Sequence, residues 1–81
     1  MNSYKIFITK NAEAAYLISR GLRDSSPWSK DGGEILSIVQ GSVEDDDLIP
    51  SCYYGYGLYY AMIEYRNGPD DSRPEYSLVI L

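Results

Sequence analysis

The segment Ser51–Arg66 constrains the fold of this chain more than any other part of it. It reads SCYYGYGLYYAMIEYR and contains six of the nine tyrosines, two of the seven glycines and the only cysteine. Tyrosine, methionine and isoleucine suit a half-buried pleated surface, so we predict a strand over Gly57–Arg66. Alternate side chains of a strand point to opposite faces. The uncharged set, expected to face the core, is Tyr59, Ala61, Ile63 and Tyr65.

The other set of side chains on this strand begins apolar and ends charged. It runs from Leu58 through Tyr60 and Met62 to Glu64 and Arg66. A face of this mixed character is expected to be half exposed to solvent.

Two glycines alternate with tyrosines just before this strand. A glycine in a strand-like run usually marks a bulge, a bend or a close backbone approach. We therefore expect an irregular segment from which Tyr53, Tyr54 and Tyr56 splay outward as a contact surface. The alternative is that these tyrosines form the core of a small domain with one Phe and one Trp, since Tyr often packs its ring and leaves its hydroxyl hydrated.

Length and charge narrow the class of protein. Residues 1–81 are enough for one small domain, and a hydrophobic content of 44% is enough for a core. Twelve acidic and seven basic residues give a net charge of −5. Such a domain repels nucleic acid unless its basic residues cluster, and it is attracted to a basic protein surface.

The residue types that the chain lacks exclude several kinds of site. With no histidine and a single cysteine, it cannot form a zinc site of the usual ligands or a histidine-assisted nucleophile. The consecutive acids Asp45–Asp47 lack the alternating ligands of a calcium loop. We predict no catalytic residue, no metal and no cofactor. The lone Cys52, and the absence of a signal-like or membrane-spanning run, indicate a cytoplasmic protein that does not enter membranes.

The remaining elements follow from local patterns. Tyr4–Thr9 and Glu75–Leu81 alternate like strands, and Glu34–Gln40 is apolar enough for a central strand covered on both faces. Asn11 is a good N-cap for a helix over Ala12–Arg23. The apolar stripe predicted for that helix is Ala14, Ala15, Leu17, Ile18 and Leu22.

Breaks between these elements are marked by glycine, proline and polar residues. Gly21 either allows close packing of the helix on the sheet or marks a frayed end. Trp28, in the polar loop 24–33, is expected to pack at the edge of the core, the alternative being exposure for a partner. Ser42 precedes a helical turn that extends to Leu48, and Pro50 ends it.

These elements predict an α+β fold in the order β-α-β-β-β. One helix packs on a largely antiparallel four-stranded sheet, giving two layers. The simplest pairing is a hairpin between Gly57–Arg66 and Glu75–Leu81. Without a second helix, the other sheet face is polar, a partner site or a homodimer interface.

Two segments resemble the signatures of the RNA-recognition-motif family. These are Ile6–Asn11, reading IFITKN, and Tyr54–Ala61, reading YGYGLYYA. The resemblance implies RNA stacking on strand aromatics. It departs where Tyr54 replaces a basic residue and where Leu58 and Ala61 replace aromatics, and the family's second helix is missing. An RNA-binding domain would need its cations gathered on the sheet face, namely Lys5, Lys10, Arg20, Arg23 or Arg66.

In character the chain resembles small acidic phage anti-defence inhibitors of the anti-CRISPR kind, and also toxin-immunity proteins. That resemblance implies a non-enzymatic inhibitor that covers a basic, nucleic-acid-binding surface of a protein target. A small assembly subunit is a further alternative, and direct nucleic-acid binding is disfavoured by the charge. Tyrosines would act as rigid anchors and carboxylates as charge partners. The predicted partner-binding residues are Tyr53, Tyr54, Tyr56, Tyr60, Glu44, Asp45, Asp46, Asp47, Asp70 and Asp71.

Overall fold

A computed structural model describes residues 2–24, 34–66 and 74–81. The helix and all four predicted strands are present, with ends within two residues of the predicted ones. The elements are β1 (Ser3–Thr9), α1 (Ala12–Asp24), β2 (Glu34–Ser42), β3 (Tyr59–Arg66) and β4 (Tyr76–Ile80).

The sheet has the strand order β2-β3-β1-β4. β3 is antiparallel to both β1 and β2, whereas β4 is parallel to β1. The predicted α+β class and the largely antiparallel sheet are confirmed. The predicted hairpin between β3 and β4 is wrong, because β1 and β2 occupy both edges of β3. β4 pairs instead along the outer side of β1, with Leu78 in register with Ile6.

The prediction that β2 is central is also wrong, because β2 forms an edge of the sheet. Its apolar character has a different cause. The β2–β3 register shifts between Ile35 and Ser37. This irregularity lets Ile35 and Ile38, three residues apart, pack against the same hydrophobic cluster, which strict alternation would not allow.

Helix α1 covers one face of the sheet. The Asn11 side chain caps it, with Oδ1 accepting a hydrogen bond from the Ala14 N–H at 2.7 Å. Leu22 packs on the buried residues Ile63 and Tyr65 of β3. The uncharged face predicted for β3 therefore lies under the helix.

Two details of the helix differ from the prediction. Leu17 is 57% exposed and does not belong to the buried stripe. A Cβ atom added at Gly21 would meet nothing within 4 Å, so Gly21 does not serve close packing. Trp28 lies outside the described residues.

The second sheet face is not bare, which corrects the expectation of an open face. Residues 43–58, here called the cover segment, fold back over it. Val43 and Ile49 of this segment are buried against the sheet, together with Tyr60 and Met62 of β3. The half-exposed face predicted for β3 is therefore largely buried. The buried residues of this hydrophobic cluster are Ile6, Ile8, Val43, Ile49, Tyr60 and Met62.

Candidate protein-binding surface

The cover segment is held down at several points along its length. It contains two short 3₁₀ turns, Val43–Asp45 and Ser51–Tyr53. The Val43 N–H donates to the Leu58 carbonyl at 3.1 Å, which ties the two ends of the segment together. With Val43 and Ile49 each at most 2% exposed, the segment is anchored from within and presents its polar groups outward.

The acidic run Glu44–Asp47 lies on this segment and divides into two roles. Glu44 Oε1 accepts a hydrogen bond from the Gly55 N–H at 3.2 Å. Asp46 Oδ1 accepts one from the Leu48 N–H at 2.9 Å. These two carboxylates brace the segment, whereas Asp45 and Asp47 are exposed and form no ion pair within the described part of the chain.

Of the four predicted tyrosine anchors, one points into solvent. Tyr56 is 74% exposed, while Tyr60 is buried at 6%. Tyr53 and Tyr54 are half buried against the cluster under the cover segment. The Tyr54 hydroxyl also donates to the Asp46 carbonyl at 3.3 Å. The expected splaying of three tyrosines therefore reduces to one, because the rings of the other two complete the core.

The two glycines around Tyr56 explain its direction. Gly55 has φ of 86° and Gly57 has φ of 67°, a left-handed conformation that other residues adopt only at a cost. Together they reverse the chain before β3, so that Tyr54 turns inward and Tyr56 outward. The alternation of glycine with tyrosine thus forms a turn over residues 54–57, here called the display turn, that directs Tyr56 into solvent.

Burial raises the pKa of Tyr60 to about 12, and the nearby Asp46 carboxylate adds to the shift. A phenol that resists ionisation beside a carboxylate can donate a hydrogen bond to it. Tyr60 therefore links the acidic run to the centre of the sheet.

The structure thus brings the acidic run and the tyrosine segment into one layer. Direct hydrogen bonds join Glu44 to Gly55 and Tyr54 to Asp46. Asp70 and Asp71, the remaining predicted charge partners, lie outside the described residues.

Sequence reasoning missed an apolar groove beside Tyr56. The groove has a volume of about 430 Å³ and lies between Tyr56 and the end of β4. It was missed because the expected hairpin placed β4 beside β3, away from this segment. The lining residues are Ile8, Thr9, Lys10, Tyr56, Leu58, Ile80 and Leu81.

The described arginines do not gather on the sheet face. Arg20 and Arg23 lie on α1, on the opposite side of the sheet from the cover segment. Arg66 pairs with Glu34 across β3 and β2 at 3.2 Å. The exposed carboxylates of the acidic run therefore lie on one side of the molecule and the helix arginines on the other.

A second polar cluster surrounds Glu64 on β3. Its Oε2 accepts hydrogen bonds from Asn2 Nδ2 at 2.8 Å and from the Tyr4 hydroxyl at 2.9 Å, and its Oε1 accepts one from Ser37 Oγ at 3.0 Å. These bonds, that from Asn2 foremost, hold the pKa of Glu64 below its usual value. The hydrogen bond to Glu64 raises the pKa of Tyr4. The carboxylate is a cross-strand partner of Tyr4 on β1 and Ser37 on β2.

Within residues 2–24, 34–66 and 74–81, no group of three or more acidic or cysteine side chains is placed to hold a metal ion. In the same part of the chain, no helix is both long and apolar enough to cross a membrane. Cys52 is free and exposed. No family model matches the sequence, and neither a curated protein nor a solved structure is significantly similar to it.

Proposed function

We propose that this protein is a non-enzymatic binder that covers a basic, nucleic-acid-binding surface of another protein. The observation that carries the proposal is the outward presentation of Asp45, Asp47 and Tyr56 by a segment pinned to the sheet. A preformed surface loses little conformational entropy on binding. Exposed carboxylates on one side of the molecule steer it toward a basic partner.

In this proposal the protein acts by exclusion. Carboxylates of the acidic run occupy positions on the target where phosphates would otherwise bind, and Tyr56 supplies a rigid apolar contact. The result is inhibition of a nucleic-acid-handling protein, which is the mode of action of anti-defence inhibitors. Toxin-immunity and assembly-subunit roles would use the same surface on a different target.

The cover segment counts against the RNA-binding alternative. Stacking of bases on a sheet requires exposed aromatic rings on its strands. Here the face that carries Ile6, Ile8 and Tyr60 is buried beneath residues 43–58, and the described arginines lie elsewhere. Tyr56, the exposed aromatic of the resembling segment, follows Gly55, whose N–H donates to the Glu44 carboxylate, a group that repels phosphates.

Capture of partners from bacterial lysate, with and without nuclease, followed by binding measurements on the captured protein, tests this function. The double variant Asp45→Asn/Asp47→Asn should slow association and flatten its salt dependence. Tyr56→Ala should speed dissociation, because a rigid aromatic contact is lost. A nucleic-acid ligand of the captured protein should compete with the wild-type chain.

The matched control is Glu13→Gln/Glu34→Gln, which removes the same charge from exposed positions outside the cover segment. Equal association rates for the two double variants would show that total charge, rather than this surface, steers binding. Capture that disappears after nuclease treatment would instead indicate nucleic-acid binding and contradict the proposal.

A further inference from the structure

β4 forms an edge of the sheet that lacks the usual protection against pairing with another chain. At the opposite edge, β2 is interrupted by the irregularity at Ile35 and Ser37. β4 reads YSLVI, without charge or proline, and no strand among the described residues lies along its outer side. Proteins commonly block such edges with charges, prolines or bulges. An unblocked apolar edge is therefore a candidate for strand pairing.

The backbone of β4 offers hydrogen-bonding groups at alternate residues. The Glu75 carbonyl accepts from the Tyr4 N–H at 2.8 Å, and the Leu81 N–H donates to the Ile8 carbonyl at 2.9 Å. These odd-numbered residues thus point their backbone groups toward β1. Because the direction alternates along a strand, the even-numbered residues point theirs outward. The outward set is Tyr76, Leu78 and Ile80.

The side chains of the outward residues are apolar and lie on the same face as the cover segment. Tyr76 is 51% exposed and Ile80 is 55% exposed. The Tyr76 hydroxyl donates to the Leu48 carbonyl at 2.6 Å, which places the ring beside the exposed Leu48. At the other end of β4, Ile80 borders the groove next to Tyr56. A strand added to this edge would cover apolar surface at both ends.

We propose that two copies of this chain pair antiparallel along β4, with the two-fold axis at Leu78, into one continuous sheet. In this register each outward residue meets an outward residue, as an antiparallel ladder requires. Tyr76 lies opposite Ile80 of the second copy, an aromatic–aliphatic cross-strand pair of the stabilising kind. The proposal does not depend on the proposed function.

Charge favours a second copy at this edge. Two chains of net charge −5 repel each other, but β4 brings no like charges face to face. The same register places Glu75 of one copy opposite Leu81 of the other. Lys10 lines the groove with Leu81, so each end of the paired strands has a cation near it. A two-fold contact must be self-complementary, and β4 meets that condition.

Sedimentation velocity over a concentration series tests the pairing. The wild-type chain should reach twice its 9.2 kDa mass, and Ile80→Lys should raise the dissociation constant about tenfold or more, since lysine at an edge opposes pairing. The matched control is Leu17→Lys, at a helix position of similar exposure, 57% against 55%. Both variants reduce the net negative charge equally, so a loss specific to Ile80→Lys reports on the edge.

Amide hydrogen exchange identifies which edge is used. The amides of Tyr76, Leu78 and Ile80 should become protected as concentration rises, while those of Ser77 and Val79, which face β1, stay protected throughout. A wild-type chain that is monomeric at every concentration would overturn the proposal. So would a dimer in which the three outward amides exchange at the monomer rate. Protection of those amides only on adding a different protein would assign the edge to that partner's strand.

Discussion

Tyr60 shows at the scale of one residue how the cover segment depends on the sheet. Its pKa is raised from 10.0 to about 12, first by burial and then by Asp46. Because the folded-state pKa exceeds the unfolded one, the stabilisation is fully present below pH 10 and is lost as the pH rises through about 12.

We therefore expect the free energy of unfolding to fall across this alkaline window, and to fall less steeply in Tyr60→Phe. Urea denaturation at a series of pH values measures both slopes. Tyr56→Phe is the control, because that side chain is exposed. Identical slopes for the two variants would mean that Tyr60 ionises no differently from a tyrosine in the unfolded chain.

For Glu64 we expect the opposite pH dependence of stability, at acid pH. Hydrogen bonds, first that from Asn2 and then that from Tyr4, lower its pKa below the usual 4.5. Its stabilising contribution is present above that value and is lost as the pH falls through the lowered folded-state pKa. Glu64→Gln should therefore reduce stability at neutral pH and flatten the acid limb of the stability curve, with Glu13→Gln, at an exposed position on α1, as the control.

At the scale of elements, we compare the effect on stability of replacing a glycine in the display turn with that of replacing a glycine in the helix. Gly57 has positive φ and Gly21 lies in a helix, and neither position would bring an added Cβ within 4 Å of a neighbour. Gly57→Ala should therefore destabilise by about 1–2 kcal/mol through backbone strain alone. Gly21→Ala should stabilise by about 1 kcal/mol through helix propensity.

Chemical denaturation of these two variants measures both changes in the free energy of unfolding, each caused by replacing a glycine with alanine. The opposite signs are the test, since a shared sign would mean that side-chain contacts rather than backbone conformation decide the cost. If the Gly57→Ala variant captures less partner than its loss of stability explains, the turn is further connected to the direction of Tyr56.

Periodicity predicted the existence and type of every described helix and strand, because it reports how one element alternates between core and solvent. It did not predict which strands are neighbours. Leu78 pairs with Ile6, far away in sequence, and the short loop before β4 favoured a hairpin instead. Nor does alternation reveal that an irregular segment can fold over a sheet. Val43 sits singly among polar residues, and nothing in the sequence distinguishes the buried Ile49 from its exposed neighbour Leu48, so their burial follows only from the tertiary structure.

At the scale of the whole molecule, the sheet separates the acidic run from the helix arginines. Acidic residues of the cover segment face one way and the helix arginines the other. The site predicted from sequence overlaps this surface in Asp45, Asp47 and Tyr56, while Tyr53, Tyr54 and Tyr60 support it from below. A pattern of tyrosines alone cannot distinguish anchors for a partner from anchors for the protein's own core, since both bury the ring.

The parallel pairing of β1 with β4 also sets the order in which the protein can be completed. The Glu75 N–H donates to Ser3 Oγ across 72 positions of sequence, so β4 can fill the place beside β1 only after the residues between them have been synthesised. Until then the backbone groups on one side of β1 lack their β4 partners, and Leu78 is missing from the edge of the cluster that contains Ile6 and Ile8. Closing so long a loop slows folding through its entropy. The docking of β4 is therefore also the step that satisfies the backbone of β1 on this side.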